Sequence, residues 1–285
     1  MGGPMARNLI KAGHDVALWS NSKGKAEKLA AEAGGTACAT PADVARHAEC
    51  VFLCVGDSAM SEAVILGPEG VKEGGHKGLI VVDASTVSPS SSRRVNDELA
   101  KAGIEFLGAP CTGSTPGAIN GTLTFMVGGD EKVFEKVRPY FEVMGKKLYY
   151  CGGPAMGLHA KLTQNLVLSN LLQAFNEGIV LSTKAGIEPK LMLDILSNSA
   201  AKSGLIDYKA PFIFRRDFET NFSVKWMYKD IGLMLESAAE LEVPLFLTGL
   251  TRQLFQAAIA RGHGEEDICS TIKVLEEMTG TEVKG

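Results

Sequence analysis

The hydrophobic positions follow two different rhythms along the chain. Up to about residue 150, short apolar runs alternate with amphipathic stretches, and these runs read "DVALWS", "CVFLCV", "GLIVVDAS", "IEFLGAP", "LTFMVGG" and "KKLYYCG". Strands that alternate with helices imply right-handed crossovers and a mainly parallel sheet. The pattern therefore predicts an α/β domain with helices on both faces of its sheet.

After Pro154 the strand pattern stops and a long helical pattern begins. The segment "AMGLHAKLTQNLVLSNLLQAFNEGIVLSTKAG" keeps an apolar helical period. Gly186 and Pro189 mark its end, because glycine favours a helix C-terminus and proline does not continue a helix. Further helices are predicted over 188–199, 203–215, 225–241, 244–261 and 265–278. We expect an α/β domain over 1–152 and an all-helical domain over 153–285, joined by the long helix.

Composition and charge exclude several classes of protein. The 285 residues are 45% hydrophobic and 22% charged and carry a net charge of −4, whereas a nucleic-acid-binding protein normally has a basic face. No apolar run approaches the ~20 residues that span a bilayer. The six cysteines are scattered without a CxxC pair, which argues against a metal site and favours free thiols in the cytoplasm. We expect no nucleic-acid partner, no membrane association and no metal.

The helical half also predicts self-association. The long helix is apolar around most of its circumference, so it needs burial on several sides. This half has more apolar helix than one such domain easily hides, and packing against a second copy is the usual solution. We therefore expect a homodimer or a homotetramer.

The opening stretch "MGGPMARNLIKAGHDVALW" predicts a helix over 3–13 and a strand over 14–19. A dinucleotide-binding fold has a strand, a GxGxxG turn and a helix whose N-terminus receives the pyrophosphate. The stretch resembles the end of the longer pattern GxGxMGxPMAxNLxxxGH of the β-hydroxyacid dehydrogenases, with Gly2 as the third glycine. The first strand and the first two glycines of that pattern do not precede it, so we expect them upstream of Met1. A helix that merely begins with glycines is the alternative.

Three later segments resemble motifs of the same family. "VVDASTVSPSSSRRVNDELAKAGIEFLGAPCTGSTPGAINGTLTFMVGG" looks like its DxST segment and substrate loop, "GPAMGLHAKLTQN" like its GxGxxxKxxxN segment, and "FSVKWMYKDIGLML" like its KD segment. They occur in the family's order over nearly the whole chain. The chain thus resembles the 3-hydroxyisobutyrate dehydrogenases and the glyoxylate and succinic semialdehyde reductases. The resemblance implies a Rossmann-type domain, a helical domain, and hydride transfer between NADP(H) and a small β-hydroxyacid, semialdehyde or 2-oxo acid.

Lys161 is the residue to which the resemblance assigns catalysis. Reduction of a carbonyl by hydride leaves an alkoxide, and a positioned lysine ammonium can protonate it if desolvation or a nearby cation lowers the pKa of that lysine. Asn165 lies four positions later and so on the same helix face. It is expected to hold the substrate hydroxyl or the lysine, although a hydrogen bond between helices is the simpler interpretation.

The segment "APCTGSTPGA" is expected to bind the substrate carboxylate. Small residues expose backbone N–H groups, and Thr112 and Ser114 add hydroxyl donors, so an anion fits without an arginine. The resemblance places Thr112, Gly113 and Ser114 at the substrate. The usual family triplet is Ser-Gly-Gly, so Thr112 and Ser114 both depart from it. Serine in the third place resembles the glyoxylate and succinic semialdehyde reductases, and an ordinary strand-to-helix connection is the alternative.

Residues from several segments are expected at the cofactor. The resemblance places Thr86 near the nicotinamide. The alternative is that Thr86 caps the next helix, but Ser88 before Pro89 already looks like that N-cap. The other positions that the resemblance assigns are Gly2, Pro4, Met5, Val55, Gly56, Phe222 and Lys229. For Phe222 alone, core packing is the stronger interpretation.

The choice of nicotinamide cofactor follows from a missing acid. NAD-specific folds have Asp or Glu at the end of the second strand, where it binds the ribose 2′-hydroxyl. Residues 17–26 read "ALWSNSKGKA" and contain no acid. Donors that can bind a 2′-phosphate stand there instead: Asn21, Ser22, Lys23 and Lys25. We therefore expect NADP rather than NAD, with a solvated Lys25 as the alternative.

Two other functions fit a similar two-domain chain. Imine reductases share the plan but generally lack the lysine, so Lys161 argues against them. A non-catalytic dehydrogenase-like binding module, such as that of a chromatin factor, also lacks it. Lys161, Asn165 and the lack of a basic tract argue against this second alternative.

Overall fold

The structure is a computed structural model that describes residues 1–285. The chain forms two compact units, Met1–Lys161 and Leu162–Gly285. The division lies inside a 29-residue helix, α9 (Met156–Lys184), whereas the sequence places a domain boundary near residue 152. No helix is both long enough and apolar enough to cross a bilayer.

The first unit alternates strands and helices. Its strands are β1 (Ala17–Leu18), β2 (Thr36–Ala37), β3 (Cys50–Leu53), β4 (Ile80–Asp83), β5 (Glu105–Gly108), β6 (Cys111–Thr112), β7 (Leu123–Gly129) and β8 (Gly145–Gly152). Its helices before α9 are α1 (Gly2–Lys11), α2 (Lys25–Ala33), α3 (Pro41–His47), α4 (Ser58–Leu66), α5 (Val71–Gly74), α6 (Pro89–Ala100), α7 (Ser114–Asn120) and α8 (Glu131–Met144). The two-residue strands β2 and β6 are not predicted from the sequence, because so short a segment shows no alternation of apolar and polar residues.

The strands form a mainly parallel arrangement, as the sequence predicts. β3, β4 and β5 pair in parallel, β7 pairs in parallel with β8, and β5 and β6 each pair antiparallel with β7. β1 and β2 form a separate parallel pair. All four residues of β4 are buried, since core clusters lie on both faces of the sheet. Its first three residues are apolar, as expected of a parallel strand covered on both faces, and the fourth is the buried Asp83.

The second unit is all-helical. After α9 it contains α10 (Pro189–Ser197), α11 (Gly204–Phe214), α12 (Val224–Glu240), α13 (Phe246–Ala260), a 3-10 helix (Ile268–Thr271) and α14 (Ile272–Thr279). Gly186, two residues beyond α9, has a φ of 92°, which is typical of a helix-terminating glycine. The α/β domain followed by a helical domain on a long helix is therefore confirmed.

The helical segment predicted over 265–278 starts later than predicted, at Ile268, and its first turn is a 3-10 helix that continues into α14. Asp267 precedes the 3-10 helix and accepts hydrogen bonds from the backbone N–H groups of Asn221, Phe222 and Cys269. Lys209 Nζ lies 2.8 and 2.9 Å from its two carboxylate oxygens. The Cys269 bond is a local cap, whereas Lys209, Asn221 and Phe222 are distant along the chain, so the helical period alone does not reveal these partners.

Candidate active site

The start of α9 lies very close to the strands β5 and β7. A Cβ on Gly157 would stand 2.1 Å from the Met126 carbonyl oxygen and 2.8 Å from that of Gly108, so only glycine fits there. Ala155, just before the helix, has a left-handed φ of 68°, a conformation that favours glycine. This accounts for the glycine that the family motif often has at that position. The close approach brings Lys161, one turn later, against the sheet.

Lys161 is a buried lysine with only 7% of its surface exposed. Its ammonium lies near the thiol of Cys111 in β6. Burial raises the pKa of Cys111 to about 12, and the Lys161 charge opposes that rise without cancelling it. The structure therefore brings the predicted catalytic lysine to the strand that leads into the predicted substrate loop.

The predicted substrate loop runs from β6 into α7. Thr112 pairs with Thr124 of β7, Gly113 has a φ of 129°, and Ser114 has a left-handed φ of 54°. A Cβ on Gly113 would meet Leu123 Cδ2 at 3.2 Å. Thr112 and Ser114 are half-buried and Gly113 is exposed. The three residues thus form a tight turn, in which the Gly113 carbonyl accepts from the Gly117 N–H.

Asn165 belongs to the second unit, where it forms a hydrogen bond between helices. Its Nδ2 donates to Asp230 Oδ2 of α12 at 2.7 Å, and both residues are 2% exposed. Lys229 Nζ lies 2.8 Å from the other oxygen of Asp230. Asp230 was not among the predicted site residues, although it is the acid of the KD segment. That motif was the signal that could have found it.

Phe222 packs against the core of the second unit, in agreement with the core-packing interpretation of this residue. Its side chain packs at the edge of a core cluster that includes Val224 and Ile268. Its backbone N–H donates to Asp267 at 3.2 Å.

The predicted cofactor residues of the first unit lie at the starts of helices and the ends of strands. Gly2 and Pro4 are half-buried in the first turn of α1, whereas Met5 is 3% exposed and its side chain packs in the core. The Met5 side chain is therefore not available to a ligand. Asn21 and Lys25 are exposed, and Ser22 is half-buried.

Val55, Gly56 and Thr86 follow two neighbouring parallel strands. Val55 and Gly56 lie just beyond β3, Thr86 lies just beyond β4, and all three are half-buried. Ser88 caps α6 by accepting from the Ser91 N–H, with Pro89 in the first turn, as predicted. In parallel α/β sheets, ligands bind outside the carboxyl ends of the strands, which is where these three residues lie.

Comparison with known proteins assigns both units to one family. A family model described as the NAD binding domain of 6-phosphogluconate dehydrogenase matches residues 1–153. A second, described as NAD-binding of NADP-dependent 3-hydroxyisobutyrate dehydrogenase, matches residues 155–275.

Individual proteins match over nearly the whole chain. The 2-(hydroxymethyl)glutarate dehydrogenase of Eubacterium barkeri is 37% identical over 286 residues, covering 100% of this chain and 95% of that protein. The chloroplastic glyoxylate/succinic semialdehyde reductase 2 of Arabidopsis thaliana is 31% identical, and the match covers 99% of this chain and 78% of that protein. Among solved structures, the 3-hydroxyisobutyrate dehydrogenase of Mycobacterium tuberculosis has a TM-score of 0.89 at 27% identity, over 96% and 95% of the two chains.

Proposed function

Because the chain belongs to the β-hydroxyacid dehydrogenase family, we propose that it is an NADP-dependent β-hydroxyacid dehydrogenase or semialdehyde reductase. The observation that carries the proposal is the buried Lys161 beside the strand that leads into the loop 112–114. The matched relatives include enzymes named for hydroxyacids and for semialdehydes. The substrate class therefore covers 3-hydroxyisobutyrate, 2-(hydroxymethyl)glutarate, glyoxylate, and succinic and tartronate semialdehydes.

Lys161 is the general acid and base of this proposal. A bound nicotinamide would supply the hydride to the carbonyl carbon in reduction, or take it from the carbinol carbon in oxidation. The Lys161 Nζ donates a proton to the carbonyl oxygen during reduction and takes it back during oxidation. An ammonium that is shielded from water gives up its proton more readily than an exposed one, which suits this exchange near neutral pH.

The loop 112–114 binds the substrate carboxylate. The hydroxyls of Thr112 and Ser114 can donate to its oxygens, and Gly113 has no side chain to cover the backbone. Such a turn of small residues accepts an anion without a fixed positive charge. The loop thereby orients the substrate through its carboxylate, and Lys161 transfers the proton.

Asn165 orients the reacting groups without exchanging a proton. Its amide nitrogen donates to Asp230 Oδ2, and we assign its amide oxygen to a substrate hydroxyl or to the Lys161 ammonium. Asp230 in turn contacts Lys229. This chain of contacts fixes the Asn165 amide in one of its two flips.

The turn after β1 suits the 2′-phosphate of NADP. Residues 19–25 carry two ammonium groups, an amide and hydroxyls, but no carboxylate. The N-terminus of α2 follows this turn and has no side-chain cap. The Lys25 N–H donates to the Ser22 carbonyl, so the N–H groups of residues 26 and 27 are the ones that we assign to an anion. We assign Asn21, Ser22 and Lys25 to the 2′-phosphate.

The remaining cofactor assignments follow the same logic. Gly2 and Pro4 open the helix that would receive the pyrophosphate, Val55 and Gly56 line the adenosine side, and Thr86 approaches the nicotinamide. Phe222 and Lys229 are proposed as contacts from the helical unit. Met5 contributes by packing the helix in place rather than by touching the cofactor.

Self-association and compartment belong to the same proposal. Large apolar side chains are exposed on the helical unit, namely Leu181 (72%), Phe246 (85%), Leu247 (59%) and Leu250 (68%). Exposed apolar patches mark interaction surfaces, and a second copy is the partner that we propose. Light scattering at micromolar concentration should give at least a dimer, and a monomer would contradict this. All six cysteines are free, and we propose the cytoplasm as the compartment.

One panel tests the activity. The purified protein is given glyoxylate, succinic, tartronate and methylmalonate semialdehydes with NADPH, and 3-hydroxyisobutyrate and 2-(hydroxymethyl)glutarate with NADP, each repeated with the NAD form. Turnover of at least one of these acids supports the proposal. No turnover of any acid, together with turnover of cyclic imines, would instead support the imine reductase alternative.

A further inference from the structure

A buried carboxylate lies at the carboxyl end of β4. Asp83 is 2% exposed, and it accepts hydrogen bonds from the Ser61 hydroxyl at 2.6 Å and from the Ser85 backbone N–H at 2.8 Å. A buried charge is costly unless such donors surround it. Asp83 thus connects the turn after β4 to the helix α4, which follows β3.

Ser85 carries the connection back to the end of β3. Its Oγ accepts from the Val55 N–H at 2.8 Å. A second bond runs in the opposite direction, since Ser58 Oγ accepts from the Ser88 N–H at 3.0 Å. Each turn therefore supplies a hydroxyl that accepts from the backbone of the other.

The backbone ladder does not hold these two turns together. The pairing of β3 with β4 ends at Leu53 and Asp83, and the last backbone bond is the Ala84 N–H to the Leu53 carbonyl, 2.8 Å long. Beyond this point the Asp83 carboxylate and three serine hydroxyls, those of Ser58, Ser61 and Ser85, connect the two turns. They lie at the place where a parallel sheet binds its ligand.

We propose that Asp83 and Ser85 are positioning residues for the dinucleotide. Asp83 fixes the Ser85 backbone, Ser85 fixes the Val55 backbone, and the two turns are held at the spacing that the cofactor needs. The inference rests on the proposed function, because it takes Val55, Gly56 and Thr86 to be cofactor contacts. Turns that are ordered before binding lose less conformational entropy when the ligand arrives, so the connection acts on affinity.

The sharpest test is Ser85→Ala, with Ser92→Ala as its matched control. Ser85→Ala removes the acceptor of the Val55 N–H and leaves the bond from the Ser85 backbone to Asp83 intact. Ser92 is also 2% exposed and lies on α6, but its hydroxyl has no hydrogen-bond partner. The control therefore removes a buried hydroxyl without cutting the connection.

Two readouts separate positioning from folding. The Kd for NADPH, titrated by its fluorescence, should rise about three- to tenfold in Ser85→Ala, the usual effect of one lost hydrogen bond. It should stay within about twofold in Ser92→Ala. Amide exchange without cofactor should accelerate at Val55 in Ser85→Ala only, while both variants keep similar Tm values. KM for the acid substrate should not change in either.

A second variant covers the case in which Ser85→Ala does not fold. Ser61→Ala removes the hydroxyl that donates to Asp83 and should also raise the Kd for NADPH. If Ser85→Ala folds and binds NADPH as tightly as the wild type does, the positioning role is overturned and the proposed function is not. If Ser85→Ala does not fold, the same result with Ser61→Ala overturns it. A wild-type protein that binds neither NADPH nor NADH would overturn the proposed function as well.

Discussion

The two units each bury a lysine, and their surroundings differ. In the helical unit, Lys209 is 3% exposed and both oxygens of Asp267 lie within 2.9 Å of its Nζ. Asp267 also accepts three backbone N–H groups, so the pair joins α11 to the turn before α12 and to the 3-10 helix. In the α/β unit, Lys161 lies near a thiol and a loop of small residues.

The difference teaches that burial of a charge does not by itself indicate catalysis. A lysine held by a carboxylate in two hydrogen bonds is used to fasten helices together. Lys161 instead lies near the Cys111 thiol of the strand that leads into the loop 112–114. The comparison predicts that substitutions at Lys209 change stability, and that substitutions at Lys161 change turnover.

The largest expected effect on stability is at Lys209. Lys209→Ala leaves Asp267 buried without its ammonium partner, which typically costs about 3–5 kcal/mol of unfolding free energy. Lys161→Ala should change that free energy by no more than about 1 kcal/mol, because functional groups are rarely optimised for stability. Urea denaturation of both variants checks this, and equal losses in the two would break the comparison.

The reactivity of Cys111 should report the same environment around Lys161. With a pKa of about 12 the thiol carries roughly a thousandfold less thiolate at pH 8 than an unperturbed cysteine, and only the thiolate is alkylated. Labelling by iodoacetamide, followed by mass spectrometry, should accelerate about tenfold for each pH unit between 7 and 10. The same residue in urea serves as the control. Equal rates in folded and unfolded protein at pH 8 would contradict the burial.

The preference for NADPH should be at least about tenfold in kcat/KM, which is roughly the 1.4 kcal/mol of one charge-assisted contact. Lys25→Ala should reduce this preference. Lys28→Ala is the control, because its side chain is 77% exposed on the same helix and only approaches Glu32. Equal efficiency with NADH, or equal effects of the two variants, would rule out the assignment of the 2′-phosphate.

The smallest effect concerns the strained turn of the substrate loop. Ser114 has a left-handed φ of 54°, so Ser114→Gly should stabilise the protein by about 1 kcal/mol, or about 2 °C in Tm. Thr115→Gly, one residue later in α7, should instead destabilise it by about 0.5–1 kcal/mol. Loss of the Ser114 hydroxyl should raise KM for the acid substrate. A lower Tm for Ser114→Gly would show that the turn is not strained.

Sequence reasoning predicted the fold well where the signal is local. The long helix, its end at Gly186 and the cap of α6 by Ser88 all depend on neighbours within a few residues, and all are confirmed. The segment predicted as helical over 265–278 begins only at Ile268 and with a 3-10 helix, because Lys209 and the distant backbone N–H groups of Asn221 and Phe222 hold Asp267 before it. Periodicity carries no information about such partners.

In the candidate site, too, the sequence does not reveal contacts between residues that are distant along the chain. Motif resemblance led to Lys161, Asn165 and the loop 112–114, and these roles stay predictions until they are tested. It did not lead to Asp230, whose hydrogen bond to Asn165 connects residues 65 positions apart. It also did not reveal the left-handed backbone at Ser114, because serine seldom marks such a conformation.

The most direct measurement of the central claim is the turnover of Lys161→Ala with NADPH and the best substrate of the panel. We expect kcat to fall by roughly 10² to 10⁴-fold, the usual contribution of positioned proton transfer, while the Kd for NADPH and the Tm stay near the wild-type values. Lys161→Arg should not restore turnover, since arginine keeps its proton near neutral pH. Asn165→Ala should lower kcat less. Near-normal turnover in Lys161→Ala would show that the general acid lies elsewhere, and loss of folding would show that Lys161 serves the structure as Lys209 does.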